Sequence, residues 1–381
     1  MRALFFQGAL VAGLLWAIIT IAKNTAHNME ERGIKIGLHF FDDIAPFDIP
    51  LDFAPLWSFT LGESVYWDVF IIGVQNTVLI SIAAIIGATT LGFFVGVLRL
   101  SPNWLLAKLA ACYIEVFRNT PLLLQLLCWN FAVFLPLVPA PRESWILGEG
   151  FILNKAGLYF PQPELTATGA AIFIVAMAVA VVAIVVMKKW SRKRQEKTGQ
   201  SFPLFLASAA VVVVALFLAL LLSGGHVSFD YAQLKGLNYR GGGRVPLIFI
   251  ALWVGLTTYT AAFIAENVRG GINAVDKGQT EAARSLGLRH GANLKLVVIP
   301  QAMRVIIPPT ISQFLNATKN SSLAVAIGYP DLVNVWAGIS LNQTGQSLVI
   351  IAMTIGVYWT LSLLTSVLLN WYNTKVQLQG R

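Results

Sequence analysis

The sequence has few of the residues that cross-link or charge a typical water-soluble protein. Charged residues make up 12% of its 381 positions, and cysteine occurs only twice. Cys112 and Cys128 fall within one apolar stretch, about four and a half helical turns apart, which is too far for a disulfide along a helix. A disulfide-stapled fold is therefore excluded, and we interpret both cysteines as packing residues.

Two kinds of functional motif are also missing. The four histidines are scattered along the chain without a His-Glu-x-x-His pair, so the sequence predicts neither a metal site nor an intramembrane enzyme. The Gly-x-x-x-x-Gly-Lys-Ser/Thr loop that cradles the phosphates of ATP is absent as well. We therefore expect a chain that is not an enzyme and binds no cofactor of its own.

Apolar residues are what the sequence has in abundance. They make up 56% of the chain, and several runs reach the roughly 20 residues needed to cross a bilayer. This pattern predicts an all-α fold, a polytopic bundle of about eight transmembrane helices in the lipid bilayer. The predicted spans are 3–22, 70–98, 109–137, 165–187, 202–222, 245–268, 306–327 and 348–371. The span 109–137 carries Glu115, Arg118 and Pro121 near its start and is expected to be kinked or flanked by a short elbow there. The first is interpreted as a retained anchor, since it lacks a clear small-residue cleavage site.

The charges between the spans indicate the orientation. Residues 188–197 hold six basic residues and one acid, and the loop 269–304 is also basic, whereas residues 24–69 hold eight acids and two bases. Because basic loops stay in the cytoplasm, an even number of spans puts both termini there. One outer loop, 223–244, is slightly basic, so the rule holds as a bias. The same bias accounts for the net charge of +9, and we expect no nucleic acid partner.

Composition divides the chain into four parts. Residues 1–69 form an amino-terminal anchor helix and an acidic periplasmic loop, and residues 70–137 form the first part of a helical core. Residues 138–244 differ in composition from the rest of the chain. They contain two helices made almost entirely of Val, Ala and Leu, joined by a basic cytoplasmic loop, and we interpret them as an inserted helix pair. Residues 245–381 form the second part of the core, with a polar cytoplasmic loop at 269–305.

That polar loop contains the most informative segment of the chain. Ala282 and Ala283 predict a short, slim helix beginning near Gln279, and Gly287 is suited to end it at positive φ. A second short helix is predicted from Ala292, before Pro300 marks the return to the membrane. Two small helices at an angle would project into the cytoplasm and fit a groove of a partner, although an ordinary amphipathic connecting loop is the alternative.

The residues of this loop resemble a known signature. Glu281-Ala-Ala-Arg284, Gly287 and Pro300 are similar to the EAA motif in the membrane subunits of bacterial ABC importers. Further segments, including Phe117-Arg-Asn-Thr-Pro-Leu-Leu-Leu-Gln125, resemble the polar amino acid permease branch, and the resemblance covers about 72–137 and 245–371. The extra helices resemble the enlarged permease of general L-amino acid transporters.

The resemblance implies a permease subunit in the bacterial inner membrane. Its EAA loop would form coupling helices that dock on a cytoplasmic ABC ATPase dimer, in which ATP and Mg²⁺ bind. A periplasmic amino acid-binding protein would deliver the amino acid substrate, and a second, different permease chain would complete the pathway. Glu281 would accept a salt bridge from a partner's arginine, with a capping charge in the first helical turn as the alternative.

Polar side chains within the spans are candidates for the substrate pathway, because such groups are costly in a membrane. The preferred set lies in the polar span 306–327 and consists of Asn316, Lys319, Asn320 and Ser322. Glu266 could pair with Lys319 across helices, meet the substrate ammonium, or support the coupling loop. Arg118 and Gln125 are seven residues apart, which predicts one helical face, with an interfacial anchor as the alternative for Arg118.

A different class of transporter remains as the alternative function. An ion-coupled secondary transporter for small polar solutes would be expected to show repeated halves or broken helices at matched positions, and neither pattern is visible in the sequence.

Overall fold

Uninterrupted apolar runs form the long helices of this protein, because a helix satisfies its own backbone hydrogen bonds in lipid. The structure is a computed structural model and describes residues 2–31, 37–49, 57–199, 202–223 and 227–376. Its helices in these ranges are α1 (Arg2–Glu31), α2 (Tyr66–Arg99), α3 (Trp104–Asn119), α4 (Leu122–Leu137), α5 (Ala167–Thr198), α6 (Leu204–Ser223), α7 (Leu247–Asn273), α8 (Lys277–Ser285), α9 (His290–Asn293), α10 (Ile299–Asn320), α11 (Leu341–Thr344) and α12 (Ser347–Val376).

The predicted membrane bundle is confirmed. Within the described residues, seven helices are long and apolar enough to cross a bilayer, and eight if the bent pair α3–α4 counts as one span. The span predicted at 306–327 begins earlier, because α9, a π-helical turn at Leu294–Val298 and α10 form one helical segment. A 3₁₀ turn at Ser321–Ile327 ends that segment, and Gly328 terminates it at a φ of 83°.

The kink expected near the start of the span 109–137 is confirmed, and it is a sharp break between two helices. The chain bends by 108° between α3 and α4. Pro121 causes the break, because its ring disfavours a helical conformation at the preceding residue, and Thr120 is extended at φ −103° and ψ 132°. The side chain of Gln125 reinforces the bend, since its Nε2 donates to the carbonyls of Phe117 at 2.9 Å and Thr120 at 3.0 Å.

The described chain divides into two compact units, one made of Met1–Leu137 and Pro246–Arg381 and the other of Val138–Val245. The core of the first unit is the pairing of α2 with α7. Small residues allow the two helices to approach closely: a Cβ atom added at Gly92 would lie 2.7 Å from Cβ of Ile264, and one at Gly96 would lie 2.7 Å from the carbonyl oxygen of Ala265. The helix α10 packs on the same cluster.

An aromatic cluster packs around the start of α2 in the first unit. Trp336 is fully buried in a π-helical segment, Leu332–Ser340, that the sequence did not reveal. The ring of Phe40 stacks on it at 5.8 Å, and Phe70 of α2 meets it edge-on at 5.2 Å. Part of the predicted acidic loop, residues 39–49, is thereby packed on the core. Asp52 and the two bases of that loop lie outside the described residues.

The second unit contains an antiparallel helix pair and short strands. The helices α5 and α6 pack through small residues, with Ala180 and Ala219 buried. The strands were not expected from the all-α prediction, because they are too short for a period-2 pattern to stand out. They are β1 (Trp145–Ile146), β2 (Ile152–Asn154), β3 (Gly157–Phe160), β4 (Gln162–Leu165), β5 (Val227–Asp230), β6 (Gln233–Lys235), β7 (Asn238–Arg240) and β8 (Gly243–Pro246). Their sheets have the orders β1-β2-β3-β8, β4-β5 and β6-β7.

The α2–α7 contact predicts a position-specific effect of adding one methyl group. Gly92→Ala should destabilise the protein by about 1–3 kcal/mol, since the added Cβ overpacks against Ile264. Gly356→Ala is the matched control, because Gly356 also lies in a helix but has no atom within 4 Å of its added Cβ. Thermal unfolding in detergent should show a lower midpoint for Gly92→Ala alone. Equal midpoints for both variants would contradict this packing.

Candidate functional site

The candidate site begins at the predicted coupling loop, residues 269–305, whose first helix is α8. Asp276 caps the start of α8, as its Oδ1 accepts a hydrogen bond from the backbone N–H of Gly278 at 2.6 Å. The predicted termination by Gly287 is confirmed: its φ is +77°, and its N–H donates to the carbonyl of Arg284 at 2.8 Å. The N–H of Leu288 donates to the carbonyl of Ala283 at 3.0 Å, which completes a Schellman motif.

The second predicted helix of the loop is present but is not a separate element. It begins at His290 and continues through the π-helical turn into α10. Pro300 lies exposed in the first turn of α10, where its missing N–H is tolerated. Gln301 joins the two parts of the loop, since its Nε2 donates to Oε1 of Gln279 at 3.2 Å.

One face of α8 is held against the protein and the rest is exposed. Ala283 is buried, whereas an outward group, which we name the coupling surface, consists of Glu281, Ala282, Arg284, Leu286 and Gly287. Leu286 is 82% exposed at the tip of the loop. Such a charged surface with a small residue and an apolar tip can enter a groove of another protein.

Glu281 does not cap its helix. It lies in the second turn of α8, whereas the capping side chain is Asp276, so the alternative of a first-turn charge is wrong. Glu281 instead lines a cleft of about 400 Å³ together with Lys277, Thr280 and Arg284 of the same helical face. The end of α7 and the segment around Asn293 form the other walls. The carboxylate of Glu281 is therefore accessible to a partner.

The preferred pathway residues lie together at the end of α10. Asn316 and Lys319 are exposed, and Asn320 and Ser322 are half-buried. The hydroxyl of Ser322 donates to the carbonyl of Lys319 at 2.7 Å. No hydrogen bond or ion pair of the Lys319 ammonium is found in the part of the chain that the structure describes. This leaves one positive charge at the end of a polar helical face.

The other three predicted pathway residues lie elsewhere. Glu266 pairs with Arg269 one turn further along α7, with its Oε2 3.0 Å from Nε, so the cross-helix pair with Lys319 is not formed. The guanidinium of Arg118 lies 5.3 Å from the ring centroid of Phe263. The prediction that Arg118 and Gln125 share a helical face is wrong, because the bend at Pro121 separates them. Gln125 is buried and caps the end of α3.

Sequence reasoning missed a buried polar group near the start of α2, which we name the outer latch. It consists of Asn76, Thr77, Tyr329, Asp331 and Tyr358. Nδ2 of Asn76 donates to the carbonyl of Pro330 at 2.9 Å, and the hydroxyl of Tyr329 donates to the carbonyl of Asn76 at 3.2 Å. Thr77 accepts from the N–H of Leu332 at 3.0 Å. Asn76 and Thr77 of α2 therefore bind the backbone of residues 330–332.

Asp331 is the centre of the outer latch. It is fully buried, and it caps the segment Leu332–Ser340 by accepting from the N–H of Asn334 at 2.9 Å. The hydroxyl of Tyr358 donates to its second oxygen at 3.3 Å. Burial raises the pKa of Asp331 to about 7, because these hydrogen bonds offset only part of the cost of removing a carboxylate from water. The sequence signal was an acid after Tyr329-Pro330, between two apolar runs.

Comparison with known proteins decides the family. The family model described as "Binding-protein-dependent transport system inner membrane component" matches residues 196–378. The putative amino-acid ABC transporter permease protein YhdX of Escherichia coli is 44% identical over 380 residues, which cover 100% of this chain and 95% of that protein. The chain belongs to the amino-acid ABC transporter permease family.

Two further relatives of this permease extend the comparison. The general L-amino acid transport system permease protein AapQ of Rhizobium johnstonii is 42% identical over 100% of this chain and 93% of its own length. The glutamate/glutamine/aspartate/asparagine transport system permease protein BztB of Rhodobacter capsulatus is 36% identical over 97% of this chain and 92% of its own length. The alignments with YhdX and AapQ cover the whole chain and therefore include the sequences of α1 and of the second unit. The predicted class, a multi-pass inner-membrane ABC permease, is confirmed.

The raised pKa of Asp331 predicts how the stability of this permease depends on pH. The folded chain keeps a proton at Asp331 that the unfolded chain, with the ordinary pKa of 3.8, has already released. Stability should therefore decrease as the pH rises from roughly 4 to 7. Asp331→Asn should remove this decrease, as the amide stays neutral and still accepts from Asn334.

The measurement is the thermal unfolding midpoint in detergent at several pH values. Asp42→Asn, at an exposed carboxylate elsewhere in the chain, is the control and should keep the slope of the unchanged protein. A slope that persists in Asp331→Asn would assign the pH dependence to another group.

Proposed function

We propose that this permease imports amino acids by alternating access, driven by ATP hydrolysis in a partner. The observation that carries the proposal is the coupling surface, an exposed helix end fixed by a Schellman motif and tied to α10 through Gln279 and Gln301. The amino acid substrate is supported by the names of the three relatives, which are permeases for amino acids. The resemblance of the EAA loop supports the same class.

The partners follow from this role. A cytoplasmic ABC ATPase dimer binds the coupling surface and holds the ATP and Mg²⁺, while this chain hydrolyses no ATP. A second, different permease chain forms the other half of the pathway, and a periplasmic amino acid-binding protein delivers the substrate. The accessible carboxylate of Glu281 accepts an ion pair from the ATPase, beside the cationic Arg284 and Lys277. A partly exposed pair of this kind contributes about 1 kcal/mol or less.

The orientation that this docking requires puts both termini in the cytoplasm. The basic residues of the coupling loop agree with this orientation, because basic loops are more frequent in the cytoplasm. The outer latch and the aromatic cluster around Trp336 face the periplasm, where the substrate arrives.

Force passes from the coupling surface to the pathway through α10. Gln279 of α8 is bonded to Gln301 of α10, and Ala302 and Ile306 of α10 pack against α2 and α7, so a displacement of α8 is passed through α10 to the helical core. Lys319 lies about 30 Å along that helical segment from Ile299, at 1.5 Å per residue. Its ammonium binds the carboxylate of the amino acid, and Asn316, Asn320 and Ser322 supply hydrogen bonds.

Reconstitution tests the proposed function directly. Vesicles containing the assembled importer should accumulate radiolabelled amino acids when ATP is enclosed with the ATPase, in the presence of the binding protein. Vesicles with both permease chains but no ATPase should accumulate none, because they lack the motor. Uptake that continues undiminished without the ATPase, or follows an ion gradient, would support a secondary transporter instead.

The backbone of Gly287 predicts a variant that separates ATP hydrolysis from transport. Gly287→Val should reduce transport per ATP hydrolysed several-fold, because a β-branched residue resists a φ of +77° and the end of α8 must change. Gly291→Val is the matched control, as Gly291 lies in the same loop at an ordinary helical φ, and neither position has an atom near the added Cβ. Both rates would be measured in the same vesicles. An unchanged ratio in Gly287→Val would argue against docking through this turn.

A further inference from the structure

A long apolar groove runs beside the contact between α5 and α6 in the second unit. It is lined from Thr168 to Ala183 on α5 and from Ala210 to Leu222 on α6, and its volume is about 770 Å³. At 1.5 Å per residue it is roughly 20 Å long, a large part of the ~30 Å hydrocarbon thickness of a bilayer. Almost all of the lining side chains are Ala, Val, Leu or Ile.

The groove is open to the surroundings of the helix pair. Val175 and Val179 on one wall are 61% and 62% exposed, and Val214 on the other is 54% exposed. The small residues Ala180 and Ala219 are already buried in the contact between the two helices. A hydrocarbon chain is the partner that this surface fits within a membrane, because the groove offers apolar contact and almost no hydrogen-bonding group.

Positive charge lies beyond one end of the groove, on the same face of α5. At roughly 100° per residue, the arc of α5 that lines the groove continues to Lys193 and Lys197 near its centre, with Lys189 and Arg194 at its two edges. Lys188 and Arg192 lie on the opposite side of the helix. Lys193 and Lys197 are exposed. The acid of the basic run, Glu196, is paired with Arg192, so it does not neutralise the groove side.

Between the charges and the groove lies an aromatic pair. The ring of Trp190 meets Phe202 edge-on at 5.3 Å. Tryptophan at this position is typical of the membrane–water interface, with apolar residues on one side and headgroups on the other. The order along α5 is therefore hydrocarbon groove, interfacial tryptophan and exposed lysines, which matches the order of acyl chain, glycerol and phosphate in a phospholipid.

We propose that this face of the helix pair is a binding site for one anionic phospholipid. An acyl chain lies in the groove, and the phosphate and anionic headgroup are held by Lys193 and Lys197. A transmembrane helix of another protein would fill the groove but would gain nothing from the two lysines, whereas an anionic lipid satisfies both features. This inference rests on the second unit alone and does not depend on the proposed function.

Native mass spectrometry of the purified full chain in detergent can test the site, with phosphatidylglycerol and phosphatidylcholine of identical acyl chains as probes. Phosphatidylglycerol should bind the unchanged protein at least tenfold more tightly. The double variant Lys193→Gln/Lys197→Gln should reduce that preference about tenfold. Lys188→Gln removes a charge from the opposite side without releasing Glu196 and should leave the preference unchanged, whereas Lys193→Gln alone should reduce it about threefold.

A second pair of variants tests the groove itself. Val179→Trp should weaken the binding of both lipids, because the indole fills the groove, whereas Val181→Trp on the outer side of α5 should not. Equal losses of preference for Lys188→Gln and Lys193→Gln would show an effect of diffuse charge and overturn the site. So would equal binding of the two lipids. A lipid retained by the isolated chain but absent from the assembled importer would show that a protein helix occupies the groove.

Discussion

The close approach of α2 and α7 is the contact on which the first unit depends. Without side chains at Gly92 and Gly96, the helix backbones come close enough for Ile264 and the carbonyl of Ala265 to lie where Cβ atoms would otherwise be. In lipid there is no hydrophobic driving force between helices, so van der Waals contact at such small residues supplies much of the attraction. Each helix of this pair leads to one functional end of the protein. The start of α2 holds the outer latch, and α7 runs directly into the coupling loop.

The two ends are built with different chemistry. The outer latch buries its polar groups and satisfies them within the chain, with Asn76 and Thr77 binding backbone groups of residues 330–332. The coupling surface exposes its charges and its apolar tip, and only its helix ends are fixed by hydrogen bonds. A buried polar network fixes one arrangement, because breaking it leaves unsatisfied groups in a region of low dielectric constant. The exposed helix end has no such cost and is suited to bind a partner.

Local features of this fold could be predicted from the sequence, whereas nonlocal contacts could not. The spans follow from apolar runs, and the positive φ of Gly287 follows from its place after a short helical pattern. The bend at Pro121 was expected as a kink, but the hydrogen bonds from Gln125 to the carbonyls of Phe117 and Thr120 that hold it could not be predicted from a local pattern. The outer latch joins Asn76 to Pro330, 254 residues further along the chain, and no local pattern indicates such a bond. The strands of the second unit depend in the same way on pairing between distant short segments.

The ionisable side chains of the described helical core differ in whether the chain itself provides them with a partner. An ionisable group within a membrane protein is costly unless another group satisfies it. Glu266 has Arg269 one turn away, and Asp331 accepts from Asn334 and Tyr358. Among the charges of the described helical core, Lys319 differs from these two, since its ammonium extends from a polar face of α10 without a bond to the chain. A charge that the fold leaves unsatisfied needs water, a second chain or a ligand. In the proposed function that ligand is the carboxylate of the amino acid, and the unpaired ammonium at the end of α10 is the feature that supports this role.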